Sequence, residues 1–199
     1  MKGKKGGRIG HMALKLDMSK AYDRLEWVFL QRVMEKMGFH ARWVGWIMEC
    51  VQSVTYSVLI NGEPTESITP TRGIQQRDPL SPYLFLLCSK GLNGLIEKVV
   101  ANKHLEGFSL CKNGPKISHL LFVDDSLLFC RARVEDMSKI QEILGNYERA
   151  YEKKINPNKT TIFFSGNVSK LAKLQVQNLL GVLKIKECEK YLGLPAVVG

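Results

Sequence analysis

The chain has 199 residues, a formal charge of +10, 45% hydrophobic and 24% charged residues. That length can bury about 70% of the unfolded surface in one core. No apolar run approaches the roughly 20 residues a membrane span needs, and the basic start MKGKKGGRIGHM lacks a signal peptide's apolar stretch. The expected location is therefore intracellular, in nucleus or cytoplasm, with no membrane partner. The positive charge suits a polyanion, nucleic acid first, although solubility alone would also account for it.

Residues 1–11 read as a flexible basic segment, and residues 12–199 as one domain. Met12 to Leu16 is a short apolar run, predicted as a buried strand that ends at Asp17. A helix is predicted from about Arg24 to Met37, with Leu25, Val28, Phe29, Val33 and Met37 as its apolar stripe and Gly38 as its stop. A second helix is predicted from about Ala41 to Ser53. YSVLI and TESIT flank Asn61-Gly62, a hairpin signal. TPTRGIQQRDPLSP is too rich in turn residues to be regular. Ser81-Pro82 reads as an N-cap followed by a proline in the first turn of a helix that runs to about Asn102.

From Gly107 to Arg131 the pattern is strands, centred on HLLFVDDSLLFC. An amphipathic helix is predicted from about Glu135 to Lys154. A turn at Asn156-Pro157-Asn158, a strand TTIFFS, a helix near Ser169 to Leu180 and the tail KYLGLP follow. Helices interleaved with at least one hairpin give an α+β pattern with antiparallel strands. Five well-separated cysteines, Cys50, Cys88, Cys111, Cys130 and Cys188, form no CxxC pair, and they read as buried free thiols rather than a zinc site.

The acidic residues carry the chemistry. Asp124 and Asp125 interrupt two apolar runs, and Asp17 ends another. Buried carboxylates are costly unless something positive binds them. Two of them about 4 Å apart repel by about 4 kcal/mol at an effective dielectric near 20. A pair of divalent cations turns that repulsion into binding, and oxygen ligands favour Mg²⁺ or Mn²⁺. Two metals about 3.5–4 Å apart serve phosphoryl transfer. Taken alone, Asp124-Asp125 is equally a hairpin turn, and Asp17 equally a helix cap.

The order of segments decides between these. ALKLDMSKAYDRLEW, TRGIQQRDPLSPYLF, HLLFVDDSLLF, INPNKTTIFFS and KYLGLP resemble, in order and spacing, the reverse transcriptases of plant non-LTR (LINE-type) retrotransposons. The resemblance covers about Met12 to Pro195. It implies a polymerase palm-type antiparallel sheet packed against helices, with partial fingers and no complete thumb. It implies Asp17, Asp124 and Asp125 as catalytic ligands of two Mg²⁺ or Mn²⁺ ions, with Asp17 and Asp124 within metal-bridging distance. Tyr22 would be the gate that rejects a 2′-hydroxyl. Gln76, with Arg77 beside it, would contact the nucleotide, while Pro79, Ser81 and Pro82 shape the turn. Lys159 would act on leaving pyrophosphate. Tyr191, Leu192 and Gly193 of KYLGLP would form the primer grip. The implied partners are an RNA template, a DNA primer and deoxynucleoside triphosphates.

Two departures stand out. Gln75 replaces an arginine of the family pattern, and Arg77 replaces a glycine. A glycine there permits positive φ, where a residue with a Cβ costs about 1–2 kcal/mol without unfolding the domain; the larger penalty is a long side chain beside the nucleotide, so Arg77 is predicted to impair polymerisation. The chain also begins just before the Asp17 strand and ends soon after KYLGLP, which reads as truncation. Three readings remain open, of which the first two are an RNA-directed DNA polymerase domain and an inactive retroelement remnant that keeps the palm fold and at most weak nucleic-acid binding. An intron-encoded maturase is a third.

Overall fold

The computed structural model describes residues 10–17, 22–109, 111, 114–122, 125–151, 159–180, 190–191 and 194–195. Strand β1 (His11–Asp17) is the predicted apolar strand, one residue longer at each end. Met12, Leu14 and Leu16 alternate into the core, while His11 and Lys15 stay half-buried.

Helix α1 (Trp27–Lys36) starts three residues later than predicted. The carbonyls of Tyr22 and Leu25 are committed elsewhere: they accept the N–H groups of Ile74 and Gly73 at 2.9 and 2.8 Å. The buried line also differs. Leu25, Leu30 and Met34 are fully buried, Phe29 and Val33 are half-buried, and Val28 and Met37 of the predicted stripe are exposed. Gly38 does end the helix. Its φ of +82° allows a Schellman closure, with Phe39 N–H on the Met34 carbonyl (3.2 Å) and Gly38 N–H on that of Glu35 (3.0 Å). Helix α2 (Ala41–Gln52) begins with the His40 ring nitrogen Nδ1 accepting from Arg42 N–H.

Strands β2 (Leu59–Ile60) and β3 (Glu63–Pro64) form the predicted hairpin. Asn61 and Gly62 take φ of +53° and +88°, the two left-handed residues of a type I′ turn. Helix α3 (Ser81–Ala101) has Pro82 in its first turn as predicted, but Ser81 is not the cap. The N-cap position is Leu80, which makes no side-chain cap bond; Asp78, two residues before it, accepts the N–H groups of Leu80 at 2.7 Å and Ser81 at 3.2 Å through Oδ1, while Ser81 itself is buried. Strands β4 (Phe108–Ser109) and β5 (Lys116–Ile117) pair with each other. They precede β6 (His119–Phe122) and β7 (Asp125–Arg131).

Helix α4 (Val134–Tyr151) lies within the range predicted for it, give or take a residue at its start. Its predicted end at Lys154 and the Asn156-Pro157-Asn158 turn lie outside the described residues. Strand β8 (Thr161–Phe164) and helix α5 (Lys170–Leu180) follow, and Ser169 caps α5 through Ala172 N–H at 3.2 Å. Strands β9 (Lys190–Tyr191) and β10 (Leu194–Pro195) make a closing hairpin.

The main sheet is antiparallel, in the order β6-β7-β1-β8. Leu14, Leu128 and Ile162 are partners across β1, β7 and β8, and they share one buried cluster with α1, α3 and α4. Leu84, Phe85, Leu92 and Ile96 of α3 are all fully buried in it. This is the α+β arrangement predicted. Among the described residues no helix is long and apolar enough to cross a membrane.

The cysteine expectation is corrected in part. Cys88 and Cys130 are buried, and burial pushes the Cys88 thiol up to about 12 and the Cys130 thiol upward as well. Cys50 and Cys111 are exposed: Cys50 lies outside the buried stripe of α2 formed by Val44, Ile47, Met48 and Val51, and Cys111 follows the end of β4. Cys188 lies outside the described residues.

His119 gives a pH prediction. Its Nε2 pairs with Asn93 Oδ1 at 2.7 Å and its Nδ1 with Ser118 Oγ at 2.9 Å. Burial holds its pKa below the usual histidine value, with Glu97 opposing. The unfolded chain therefore binds the proton more readily. The stability contribution is present above the unfolded value near 6.5 and is lost as the pH falls through the folded one. Urea midpoints should fall between pH 7 and pH 5, and less steeply in His119→Gln. Identical slopes in both proteins would refute the assignment.

Candidate functional site

The strand register assembles one end of the sheet. Asp17, the last residue of β1, is the partner of Asp125, the first residue of β7. Phe122 at the end of β6 is the other neighbour of Asp125. Directly opposed residues of an antiparallel pair carry their Cβ atoms about 4.5–5.5 Å apart, so two acidic residues occupy facing positions. Residues 123 and 124 join β6 to β7, and Asp124 lies outside the described residues. On the other side of β1, Thr161 of β8 is the partner of Lys15. Lys159, exposed and two residues earlier, thus brings the chain toward the Asp17 end.

Like charges directly opposed destabilise a sheet. By residue type, the two acidic positions in register across β1 and β7 carry oxygen donors, the kind that hard divalent cations take. The residues present therefore fit such a cation.

The second part of the site is a clasp between the turn after β1 and the segment 72–76. Gly73 N–H donates to the Leu25 carbonyl at 2.8 Å, and Ile74 N–H to the Tyr22 carbonyl at 2.9 Å. Trp27 Nε1 donates to the Gly73 carbonyl at 2.7 Å. Arg72 meets Glu26 at 3.3 Å, an exposed pair that contributes little by itself. Gln76 Nε2 donates to Asp23 Oδ1 at 3.3 Å. Gly73 is required here. Its φ is +85°, and a Cβ would lie 2.7 Å from the Asp23 carbonyl oxygen.

The clasp brings predicted residues together. Tyr22 is half-buried, and its ring stacks on Phe85 of α3 with centroids 5.0 Å apart and planes 15° apart. This is the packing of a core aromatic. Gln76 lines a groove of about 540 Å³ with Asp23, Tyr56, Pro70, Arg72 and Gln75. Arg77 is exposed and has φ +71°, the left-handed conformation expected of a glycine position. Asp78 fixes the turn into α3, and Pro79 lies within that turn. In the tail, Tyr191 pairs with Leu194 across the β9–β10 hairpin, while Leu192 and Gly193 lie outside the described residues.

Sequence reasoning missed Asp23, Gly73 and Trp27. Gly73 in TRGIQQ was a visible signal, since a glycine within a polar turn marks positive φ or close backbone approach. Asp23 and Trp27 have no signal in sequence, because their partners lie about fifty residues away.

Comparison with known proteins bears on this geometry. The family model for reverse transcriptase (RNA-dependent DNA polymerase) matches residues 4–196. An uncharacterized mitochondrial protein of Arabidopsis thaliana is 48% identical over 68 residues, 34% of this chain and 56% of that protein. The retrovirus-related Pol polyprotein from type-1 retrotransposable element R2 of Popillia japonica is 28% identical over 156 residues, covering 78% of this chain. The match covers only 25% of that polyprotein's length. Among solved structures, apo telomerase from Candida tropicalis superposes with a TM-score of 0.66 at 16% identity, over 96% of this chain and 35% of that one. Telomerase from Candida albicans, in complex with a telomeric RNA fragment, gives 0.60 at 18% identity, over 93% of this chain and 29% of that one. These two share the fold, and the palm-type reading of the sheet agrees with them.

Proposed function

Because the chain belongs to the reverse transcriptase (RNA-dependent DNA polymerase) family, we propose that it is the palm-centred part of an enzyme that adds deoxynucleotides to a DNA primer on an RNA template. The observation that carries this is the pairing of Asp17 with Asp125 at the end of a palm-type sheet, in a chain whose FVDD segment resembles the family's catalytic hairpin. Asp17, Asp124 and Asp125 would hold two divalent cations, Mg²⁺ or Mn²⁺. When bound, such ions lower the pKa of the attacking 3′-hydroxyl and stabilise the leaving pyrophosphate.

The other roles belong to the chain's own side chains. Tyr22, braced by Phe85, lies against the sugar and excludes a 2′-hydroxyl. Gln76 contacts the incoming nucleotide. Lys159 Nζ gives a proton to the pyrophosphate, or neutralises it. Tyr191, on the β9–β10 hairpin, positions the primer end together with Leu192 and Gly193. The charge of +10 suits a phosphate backbone, and binding that falls steeply with salt would match it.

One observation favours attenuated activity. Arg77 holds a conformation that costs a side-chain-bearing residue about 1–2 kcal/mol, and its long side chain adjoins the nucleotide contact Gln76. The experiment is primer extension on RNA and DNA templates with Mg²⁺ or Mn²⁺. Arg77→Gly should extend about tenfold faster than the native chain, the equivalent of about 1.4 kcal/mol. Equal rates would remove the role of Arg77. A remnant that has lost the activity altogether would extend in neither form.

A further inference from the structure

The clasp constrains a side chain as well as the backbone. Gln76 Nε2 donates to Asp23 Oδ1 at 3.3 Å. An ionised carboxylate can only accept, whereas an amide presents a donor on one side and an acceptor on the other. Facing Asp23, the Gln76 amide must turn its NH₂ inward, which leaves its carbonyl oxygen for the groove that both residues line. The backbones of the two segments are held close: Ile74 N–H is bonded to the Tyr22 carbonyl, and the approach at Gly73 leaves no room for a Cβ beside the Asp23 carbonyl. These contacts hold the two backbones side by side, within reach of the side-chain bond.

We infer that Asp23 is a positioning residue, which locks the orientation of the Gln76 amide so that the groove offers an acceptor to a nucleotide. The group recognised is a hydrogen-bond donor of that nucleotide, an N–H or O–H. The inference rests on the reading of Gln76 as a nucleotide contact. Asparagine at position 23 could face Gln76 with either its oxygen or its NH₂, so it would keep the bond and lose the lock. Alanine would lose both.

The test is equilibrium binding of a fluorescently labelled dATP in Mg²⁺ to the full chain, which needs no turnover. Asp23→Ala is expected to weaken binding about fivefold, the size of one hydrogen bond, with Asp23→Asn between it and the native protein. Both residues are exposed, so the melting temperature should not move. In a Gln76→Ala background, Asp23→Ala should have no further effect. Unchanged affinity in Asp23→Ala, or an equal loss in both backgrounds, overturns the positioning role and leaves the nucleotide site standing. A native chain that binds no dATP, or one indifferent to Gln76→Ala, overturns the underlying reading and this inference with it.

Discussion

Replacing Asp17 with asparagine is expected to lower primer extension by about a thousandfold or more while leaving the fold intact. A factor of a thousand corresponds to about 4 kcal/mol of transition-state stabilisation, within the several kcal/mol that bound metal supplies to phosphoryl transfer. The pairing of Asp17 with Asp125 makes the prediction two-sided. Opposed like charges destabilise a sheet by a few tenths of a kcal/mol to about 1 kcal/mol, so the variant should be slightly more stable than the native chain without metal. Added Mg²⁺ should raise the melting temperature of the native chain, because it binds only the folded form, and should do so much less in Asp17→Asn. Extension that survives the substitution would mean the chemistry lies elsewhere. An unchanged Mg²⁺ response would mean that Asp17 holds no cation.

Gly73→Ala should cost about 2–4 kcal/mol of stability. Part is conformational, about 1–2 kcal/mol for a Cβ in the left-handed region. The rest is steric, because the new Cβ would lie 2.7 Å from the backbone oxygen of Asp23. Gly62 supplies the control: its φ is +88°, with nothing within 4 Å of the same added atom. Gly62→Ala should show the conformational part alone. At about 2–4 °C per kcal/mol for a domain of this size, Gly73→Ala should melt roughly 5–15 °C lower than the native chain. Equal losses at the two glycines would show that the close approach at Gly73 contributes nothing. Nucleotide binding should fall as well, since the same substitution displaces Gln76 from the turn that carries Tyr22.

The contrast with Arg77 is informative. It has the same sign of φ as Gly73, yet it is exposed, and its turn is held by Asp78 on the next residues. Position 77 therefore tolerates a side chain at a modest conformational cost, while position 73 does not. Function would feel Arg77 more than stability does.

Local features were legible without coordinates. Asn61-Gly62 is a turn that only a type I′ hairpin explains, and Gly38 is a helix stop by its own backbone freedom. The apolar runs around Asp17 and around Asp124-Asp125 predicted strands, because an alternation that buries Met12, Leu14 and Leu16 needs no distant information. The order of five segments identified the family. Helix starts were less legible. Trp27 rather than Arg24 opens α1 because two carbonyls of the turn before it are taken by Gly73 and Ile74. Ser81 is the first residue of α3 rather than its cap, and the turn before it aims the Asp78 carboxylate at the N–H groups of Leu80 and Ser81.

For this protein, sequence by itself determined the elements, the family and the identity of the acidic residues, since propensity, alternation and motif order are properties of neighbouring residues. Tertiary structure alone decided that Asp17 faces Asp125, a matter of register between strands more than a hundred residues apart. It alone decided that the glutamine beside Arg77 meets Asp23. Such pairings depend on which strand slides against which and on where one glycine lets two backbones touch, and no local pattern encodes either.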